Sequence, residues 1–140
     1  MKLTLTIFLF FCVFCVRAQT ITTYGGNGLA GNTGDGGPAT SAKIDYPSYG
    51  VFDKSGTFYF TTGANGNSVR KISSTGIITT IAGVSGVSGY TGDNGPASAA
   101  KLNNPQGIAI DGMGILYVSD SRNNAIRKIN TITNIITTIA

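Results

Sequence analysis

One stretch of this sequence occurs twice at a fixed distance, and that repetition limits the folds open to the chain. Residues 34–43, GDGGPATSAK, return as residues 92–101, GDNGPASAAK, so that Asp35 and Asp93 lie 58 positions apart. An Ile-Thr-Thr run recurs at almost the same spacing, within residues 20–24, 78–83 and 136–140. A period of this length indicates one supersecondary unit per repeat, packed against its neighbours.

Each repeat contains short runs that favour strands. They are residues 50–52, 57–61 and 68–72 in the first copy and 107–110, 115–119 and 125–129 in the second. An Ile-Thr-Thr run supplies a fourth strand, and residues 20–24 are predicted to be extended by the same β-branched composition. The separators 53–56 and 111–114 begin with Asp and end with Gly, which predicts type I turns between paired strands. The next connections, 65–67 and 123–124, contain asparagines that tolerate left-handed backbone.

Four antiparallel strands in each repeat predict an all-β fold, a partial β-propeller of about two four-stranded blades. We expect a signal peptide helix at residues 1–18 and a propeller fragment at 19–140. Its repeats span roughly 21–77 and 78–135, with the start of a third at 136–140. A β-sandwich and a stacked β-solenoid are the competing arrangements, although solenoid repeats are usually shorter.

The repeated glycine-rich segments are predicted to be exposed insertions between blades. Residues 25–37 hold too many glycines for a regular element. Pro38 and Pro96 suit the first turn of a helix, so we expect a short helix over 39–43 and over 97–102. Asp35 and Asp93 lie just upstream, as N-caps or as residues that order the loop. A phosphate-binding loop is disfavoured, because it needs a long helix after the glycines.

The first residues have the layout of a secretory signal peptide. A basic Lys2 precedes the apolar run 3–16, and a small residue, Ala18, marks the expected cleavage site. The apolar run is shorter than the roughly 20 residues that a membrane-spanning helix needs, so we expect no membrane span after cleavage. The location predicted is secreted or extracellular, or periplasmic in a bacterium. Both cysteines, Cys12 and Cys15, lie in this segment, which leaves the mature chain without a disulfide.

The composition argues against several function classes. The chain has ten basic and six acidic residues, and loss of Lys2 and Arg17 brings it close to neutrality, so we expect no nucleic-acid partner. It contains no histidine and no glutamate, which removes the usual general base and most zinc ligands. The aspartates lack the spacing of a calcium loop. We therefore expect no catalytic residues, no metal and no cofactor.

Taken together, the repeated segments resemble the NHL-repeat family of β-propellers, in its secreted variety with glycine-rich insertions. The matching segments are residues 78–83, 92–97, 104–111, 116–120 and 123–129. The resemblance implies a closed ring of about six blades, so this two-blade chain is expected to be a fragment of a longer propeller. Open blade edges would then favour self-association, and three copies closing a six-bladed ring is one arrangement.

The resemblance also implies an expected function. We expect an interaction module without its own catalysis, whose loops bind a protein or carbohydrate partner. The alternative is part of a metal-assisted lactonase-like or lyase-like propeller enzyme. The histidines used by propeller lyases have no counterpart in this sequence, which favours the interaction module.

The candidate partner-binding residues are those of the loops. They are Tyr46, Tyr49, Tyr90, Asp35 and Asp93. Tyr59 and Tyr117 are expected in the blade core, and only one residue of each pair Arg70-Lys71 and Arg127-Lys128 can face outward. We expect the arginines to pair with a neighbouring loop, with a basic ligand-binding ring as the alternative. We also expect Asp120 to pair with Arg127 or Arg122, a tie that the first repeat lacks because Thr62 replaces the aspartate.

Overall fold

The computed structural model describes residues 19–140, and the predicted signal peptide lies outside these described residues. The first sheet consists of β1 (Pro47–Phe52), β2 (Phe58–Thr62), β3 (Ser68–Ile72) and β4 (Ile78–Ala82), paired in that order. The second has the order β5-β9-β8-β7-β6, with β5 (Gly95–Pro96), β6 (Pro105–Ile110), β7 (Ile115–Asp120), β8 (Ala125–Asn130) and β9 (Ile135–Thr138). Neighbouring strands are antiparallel throughout. The predicted all-β, partial β-propeller architecture is confirmed.

The turn between the first two strands of each sheet is built on an aspartate, as predicted. Gly56 N–H donates to the Asp53 carbonyl at 3.2 Å, and the Asp53 carboxylate accepts bonds from the amides of Ser55 and Thr57 at 2.8 and 2.9 Å. Asp111 makes the corresponding contacts in the second sheet. The fourth residue, Gly56, has φ +83°, which an L side chain rarely adopts. Local chemistry therefore fixes both hairpins.

The two sheets pack face to face, with β1 and β2 against β6. Tyr59 and Val69 of the first sheet share a buried cluster with Leu116 and Val118 of the second. Each buried aliphatic side chain contributes about 1.5–3 kcal/mol, so the cluster joins the sheets firmly. The other face of the first sheet carries a second cluster that includes Phe60.

The predicted strand at residues 20–24 is wrong, because these residues belong to no strand. The other two Ile-Thr-Thr runs pair as fourth strands, β4 with β3 and β9 with β8. Residues 20–24 precede the first sheet, so the described chain offers them no equivalent of β3 or β8 with which to pair. Tyr24 instead packs its ring edge-on against Phe52 and Phe58, at 5.8 and 5.9 Å between centroids.

Each insertion ends in a single 3₁₀ turn, Ala39–Ser41 or Ala97–Ala99, directly after a proline. The predicted short helix is thus present as one turn, and the chain extends again at Ala42 and Ala100. The insertion folds tightly on itself at Gly92, where an added Cβ would lie 2.6 Å from the Ala100 Cα. Of the two roles predicted for Asp35 and Asp93, capping is wrong, since neither turn has a side-chain cap. The other role, ordering the loop, agrees with their bonds to arginines of the sheets.

Candidate functional site

The aspartates of the insertions bind buried arginines instead of capping a helix. Arg70 on β3 contacts Asp35 at 2.6 Å between Nη2 and Oδ1, and Arg127 on β8 contacts Asp93 at 2.8 Å between the same atom types. Both arginine side chains are fully buried. The predicted pairing of each arginine with a neighbouring loop is therefore confirmed, while Lys71 and Lys128 stay partly exposed.

The two arginines differ in their remaining contact. Arg127 Nη1 lies 3.2 Å from Asp120 Oδ2, and both side chains are fully buried, so the expected tie between them is confirmed. In the first sheet, where Thr62 replaces the aspartate, Arg70 Nη1 donates to the Lys43 carbonyl at 2.9 Å. Thr62 bonds the Ser68 hydroxyl at 2.7 Å. The first sheet thus replaces a buried ion pair with a bond to a neutral acceptor.

These contacts set the protonation of the insertion aspartates. Burial of Asp35 opposes ionisation, but hydrogen bonds from Arg70 and Thr80 outweigh it and lower the pKa of Asp35 below its ordinary value. For Asp93, burial is likewise outweighed by bonds and charge from Thr138 and Arg127, so its pKa is also lowered. Both carboxylates therefore stay ionised at neutral pH and hold the insertions through charge-assisted bonds.

Two of the predicted site tyrosines lie around a concave surface beside the first sheet. Tyr46 lines a cavity of about 900 Å³, and Tyr49 lines an adjoining cavity of about 290 Å³ together with Tyr24 and Phe58. Ile44 and Pro47 line both. We call this combined surface, lined by residues 23–30, 44–50, Phe58 and Phe60, the first-sheet hollow. Tyr46 is 65% and Tyr49 63% exposed, so their rings are available to a partner.

The hollow also contains a carboxylate that the sequence did not single out. Asp45 lines the larger cavity and is only 6% exposed. Within residues 19–140 its side chain makes neither a hydrogen bond nor an ion pair, whereas Asp35, Asp93 and Asp120 all make both. Although the residue as a whole is largely buried, neither of its carboxylate oxygens is fully enclosed. The carboxylate therefore reaches the cavity, where it is free to accept hydrogen bonds from water or from a ligand.

Tyr46 occupies an unusual backbone conformation. Its φ is +40°, a left-handed value that costs a bulky residue about 1–2 kcal/mol. The equivalent residue of the second repeat is Asn104, with φ +52°, which tolerates this region well. The first repeat has Asp45 and Tyr46 where the second repeat has Asn103 and Asn104. This difference between the repeats is the sequence signal that could have marked the site.

The other predicted site residues lie elsewhere. Tyr90 stacks over the Arg127 guanidinium at 5.2 Å from its ring centroid, and with Asp93 it borders a cavity of about 130 Å³. Its hydroxyl bonds Thr138 at 3.1 Å. Asp35 is bound to Arg70 in the first repeat. The structure therefore brings Tyr46 and Tyr49 together, and separately Tyr90 and Asp93, with no single site formed by all five.

The tyrosines predicted in the blade core differ in burial. Tyr59 is 6% exposed between the sheets, while Tyr117 is partly buried. Each hydroxyl donates to the turn aspartate of its own sheet, Asp53 or Asp111, at 3.3 Å. Tyr59 therefore fits the predicted core role, and Tyr117 occupies the same position on a face that no described segment covers.

Within residues 19–140, no group of three or more metal-binding side chains of the His, Cys, Asp and Glu types comes together. No helix in this part of the chain is both long and apolar enough to cross a membrane.

Comparison with known proteins supports the repeat assignment. Residues 84–140 match the family described as the Teneurin NHL domain. The fold is similar to that of a protein of unknown function from Bacteroides thetaiotaomicron, with 29% identity over 65% of this chain and a TM-score of 0.61. It is also similar to an auxiliary nutrient binding protein from Bacteroides ovatus, with 24% identity over 79% of this chain and a TM-score of 0.57. The chain spans only 22% and 27% of those structures. No curated protein matches it in sequence.

Proposed function

We propose that the protein is a secreted interaction module that binds a protein or carbohydrate partner without catalysis of its own, and the match of residues 84–140 to the Teneurin NHL domain supports this proposal. Secretion is supported by the leader-like layout of residues 1–18. Self-association through open blade edges belongs to the same proposal, because an exposed sheet edge or face favours pairing.

The first-sheet hollow is the observation that carries the proposal. Tyr46 and Tyr49 present large amphipathic rings at low entropic cost, and aromatic residues are enriched at binding surfaces. Asp45 adds a largely buried acceptor with no partner among residues 19–140. Concave sites with apolar walls and a few polar groups are the usual form of a binding site. The Tyr90 cavity is less suitable, since Tyr90 and Asp93 are already engaged by Arg127.

The test is a binding survey with matched tyrosine variants. The full chain, produced in a host that exports it, is immobilised and probed by surface plasmon resonance with a panel of oligosaccharides and with the chain itself. We expect at least one analyte to bind, and Tyr46→Ala with Tyr49→Ala to weaken it on the order of tenfold or more. Tyr90→Ala is the control and should bind normally. Absence of any binding, or equal binding by all variants, would contradict the proposal.

A further inference from the structure

We propose that the first-sheet hollow receives the outer face of the second sheet of another copy of this chain, so that copies associate head to tail. This inference rests on the proposed function, because it names the partner of the same hollow. The contact would be heterologous, with different surfaces used on each copy.

The packing of the two sheets within the chain supplies the template. On the first-sheet side, Val51, Tyr59 and Val69 contact the shared cluster; on the second-sheet side, Ile110 and Leu116 do so. Because the two repeats are aligned, each residue of this internal interface has an equivalent residue in the other repeat. These equivalent residues lie on the two faces that point away from the internal interface. The two outer faces therefore use the same positions of the repeat as an interface that already exists in the molecule.

The outer face of the second sheet repeats the first-sheet side of the template. The counterparts of Val51, Tyr59, Val69 and Ile81 are Ala109, Tyr117, Ile126 and Ile139. Their chemistry is similar, but their burial is not. Tyr59 is 6% exposed and Val69 fully buried, whereas Tyr117 and Ile126 are only partly buried and Ile139 is 52% exposed. Within residues 19–140, no second sheet covers this apolar surface, whereas its counterpart is covered.

The outer face of the first sheet repeats the other side of the template. The counterparts of Leu102, Ile110 and Leu116 are Ile44, Phe52 and Phe58, which lie in or beside the hollow. Leu116 is fully buried, whereas Phe58 is partly exposed and Phe52 is 55% exposed. The rest of this face is already covered, since Phe60, Ile72 and Ile78 are buried. The part that is open within the described chain is therefore the side carrying Phe52 and Phe58.

The polar contacts of the template have counterparts as well. Asn104 Oδ1 accepts the Ala64 N–H at 2.6 Å, and Asn67 Oδ1 accepts the Asn104 N–H at 2.8 Å. Tyr46 corresponds to Asn104 and Asn124 to Asn67. All four residues have a left-handed backbone: φ is +40° for Tyr46 and +52° for Asn104, and it is +51° for Asn124 and +48° for Asn67. A second copy would thus bring Asn124 next to the backbone of Tyr46.

Charge complementarity favours a second copy over other occupants. Counting forward from β2 and β7, Ala64 corresponds to Arg122, which is exposed in the 3₁₀ turn Ser121–Asn123. Because Ala64 sits against Asn104, Arg122 of one copy would lie beside Asp45 and Tyr46 of the next. Neither Arg122 nor Asp45 has an ion-pair partner among residues 19–140. The two loops differ in backbone conformation: Gly66 has no counterpart, and Ala64 has φ +46° whereas Arg122 lies in a 3₁₀ turn. Arg122 therefore matches Ala64 in position along the chain, and its long side chain supplies the reach to Asp45.

Charge reversal tests this arrangement. The full chain from an exporting host is examined by sedimentation velocity over a range of concentrations, and wild type is expected to associate. Asp45→Arg and Arg122→Asp should each weaken association on the order of tenfold or more, because each places like charges together. Lys101→Asp, an exposed residue with the same charge change as Arg122→Asp, is the control and should associate normally.

Mixing the two weakened variants separates loss of contact from loss of folding. In the mixture, the Arg122 that one variant retains meets the Asp45 that the other retains. The two substituted side chains also carry opposite charges and can meet in the same way, so association should return to within about threefold of wild type. A mixture as weak as its components, or single variants as strong as wild type, would overturn the inference.

A wild-type chain that is monomeric throughout the concentration range would also overturn the inference. Tyr46-dependent binding of an oligosaccharide would then leave the proposed function standing. Absence of that binding as well would remove both the inference and the proposed function.

Discussion

The buried arginine of the second sheet provides a quantitative test of how each insertion is held. Arg127→Met would leave Asp120, which is fully buried, without its cation. Asp120 would retain bonds from the Asn103 amide at 2.7 Å and the Asn123 side chain at 2.8 Å. Removing one partner of a buried ion pair typically costs about 3–5 kcal/mol. Asp93 adds little, because its side chain is 42% exposed and can be hydrated.

Arg70→Met is the matched variant in the first sheet. Its carboxylate partner, Asp35, has a side chain that is 45% exposed, so no buried charge is left behind. The loss is confined to the carbonyls of Lys43 and Thr33, which lose their donors at a cost of about 1–3 kcal/mol. Arg127→Met should therefore destabilise the protein by about 2 kcal/mol more than Arg70→Met.

Urea unfolding followed by circular dichroism measures both losses as free energies of unfolding. A double-mutant cycle with Asp120→Asn and Arg127→Met should give a coupling of roughly 1–3 kcal/mol. Equal destabilisation by the two arginine variants, or a coupling below about 0.5 kcal/mol, would refute the role given to the buried pair.

Three further predictions concern the insertions and turns. Gly92→Ala should destabilise the protein by about 2–3 kcal/mol in the same assay, because φ is +98° and the added Cβ meets Ala100, whereas Gly28→Ala, with open space around it, should cost about 1–2 kcal/mol. Because the pKa values of Asp35 and Asp93 are lowered, their contribution to stability is present above about pH 4 and is lost as the pH falls further. Thermal midpoints measured from pH 2 to 7 should show this loss, and Asp35→Asn should make the midpoint depend less on pH. Asp53→Ala removes the acceptor of two amide bonds at an exposed turn and should cost about 0.5–1.5 kcal/mol by urea unfolding; an unchanged midpoint would contradict the turn assignment.

The parts of the fold that depend on nearby residues could be predicted from the sequence. The Asp-to-Gly turns follow from bonds spanning four residues or fewer. The Asp120 and Arg127 tie could be predicted because the two lie on adjacent strands of one repeat. In each case the interacting groups come from a segment whose local structure the sequence indicates.

The errors arose where a distant partner decides the outcome. Asp35 binds an arginine 35 residues away, and that bond competes successfully with a helix cap. Residues 20–24 have strand composition but no neighbouring third strand within the described chain, and a strand requires pairing. Asp45 was missed because the signal that marks it is a difference between the two repeats, Asp45 against Asn103, and its burial is a tertiary property.

The most direct test of the account is to locate the amides that become protected when the protein binds its partner. Hydrogen exchange of the full chain, followed by mass spectrometry, compares dilute with concentrated protein. We expect slower exchange at residues 44–50, in the first-sheet hollow, and at 122–126, with no change at 89–93 around Tyr90. Protection at 89–93 with none at 44–50 would contradict it, because binding would then use the Tyr90 cavity.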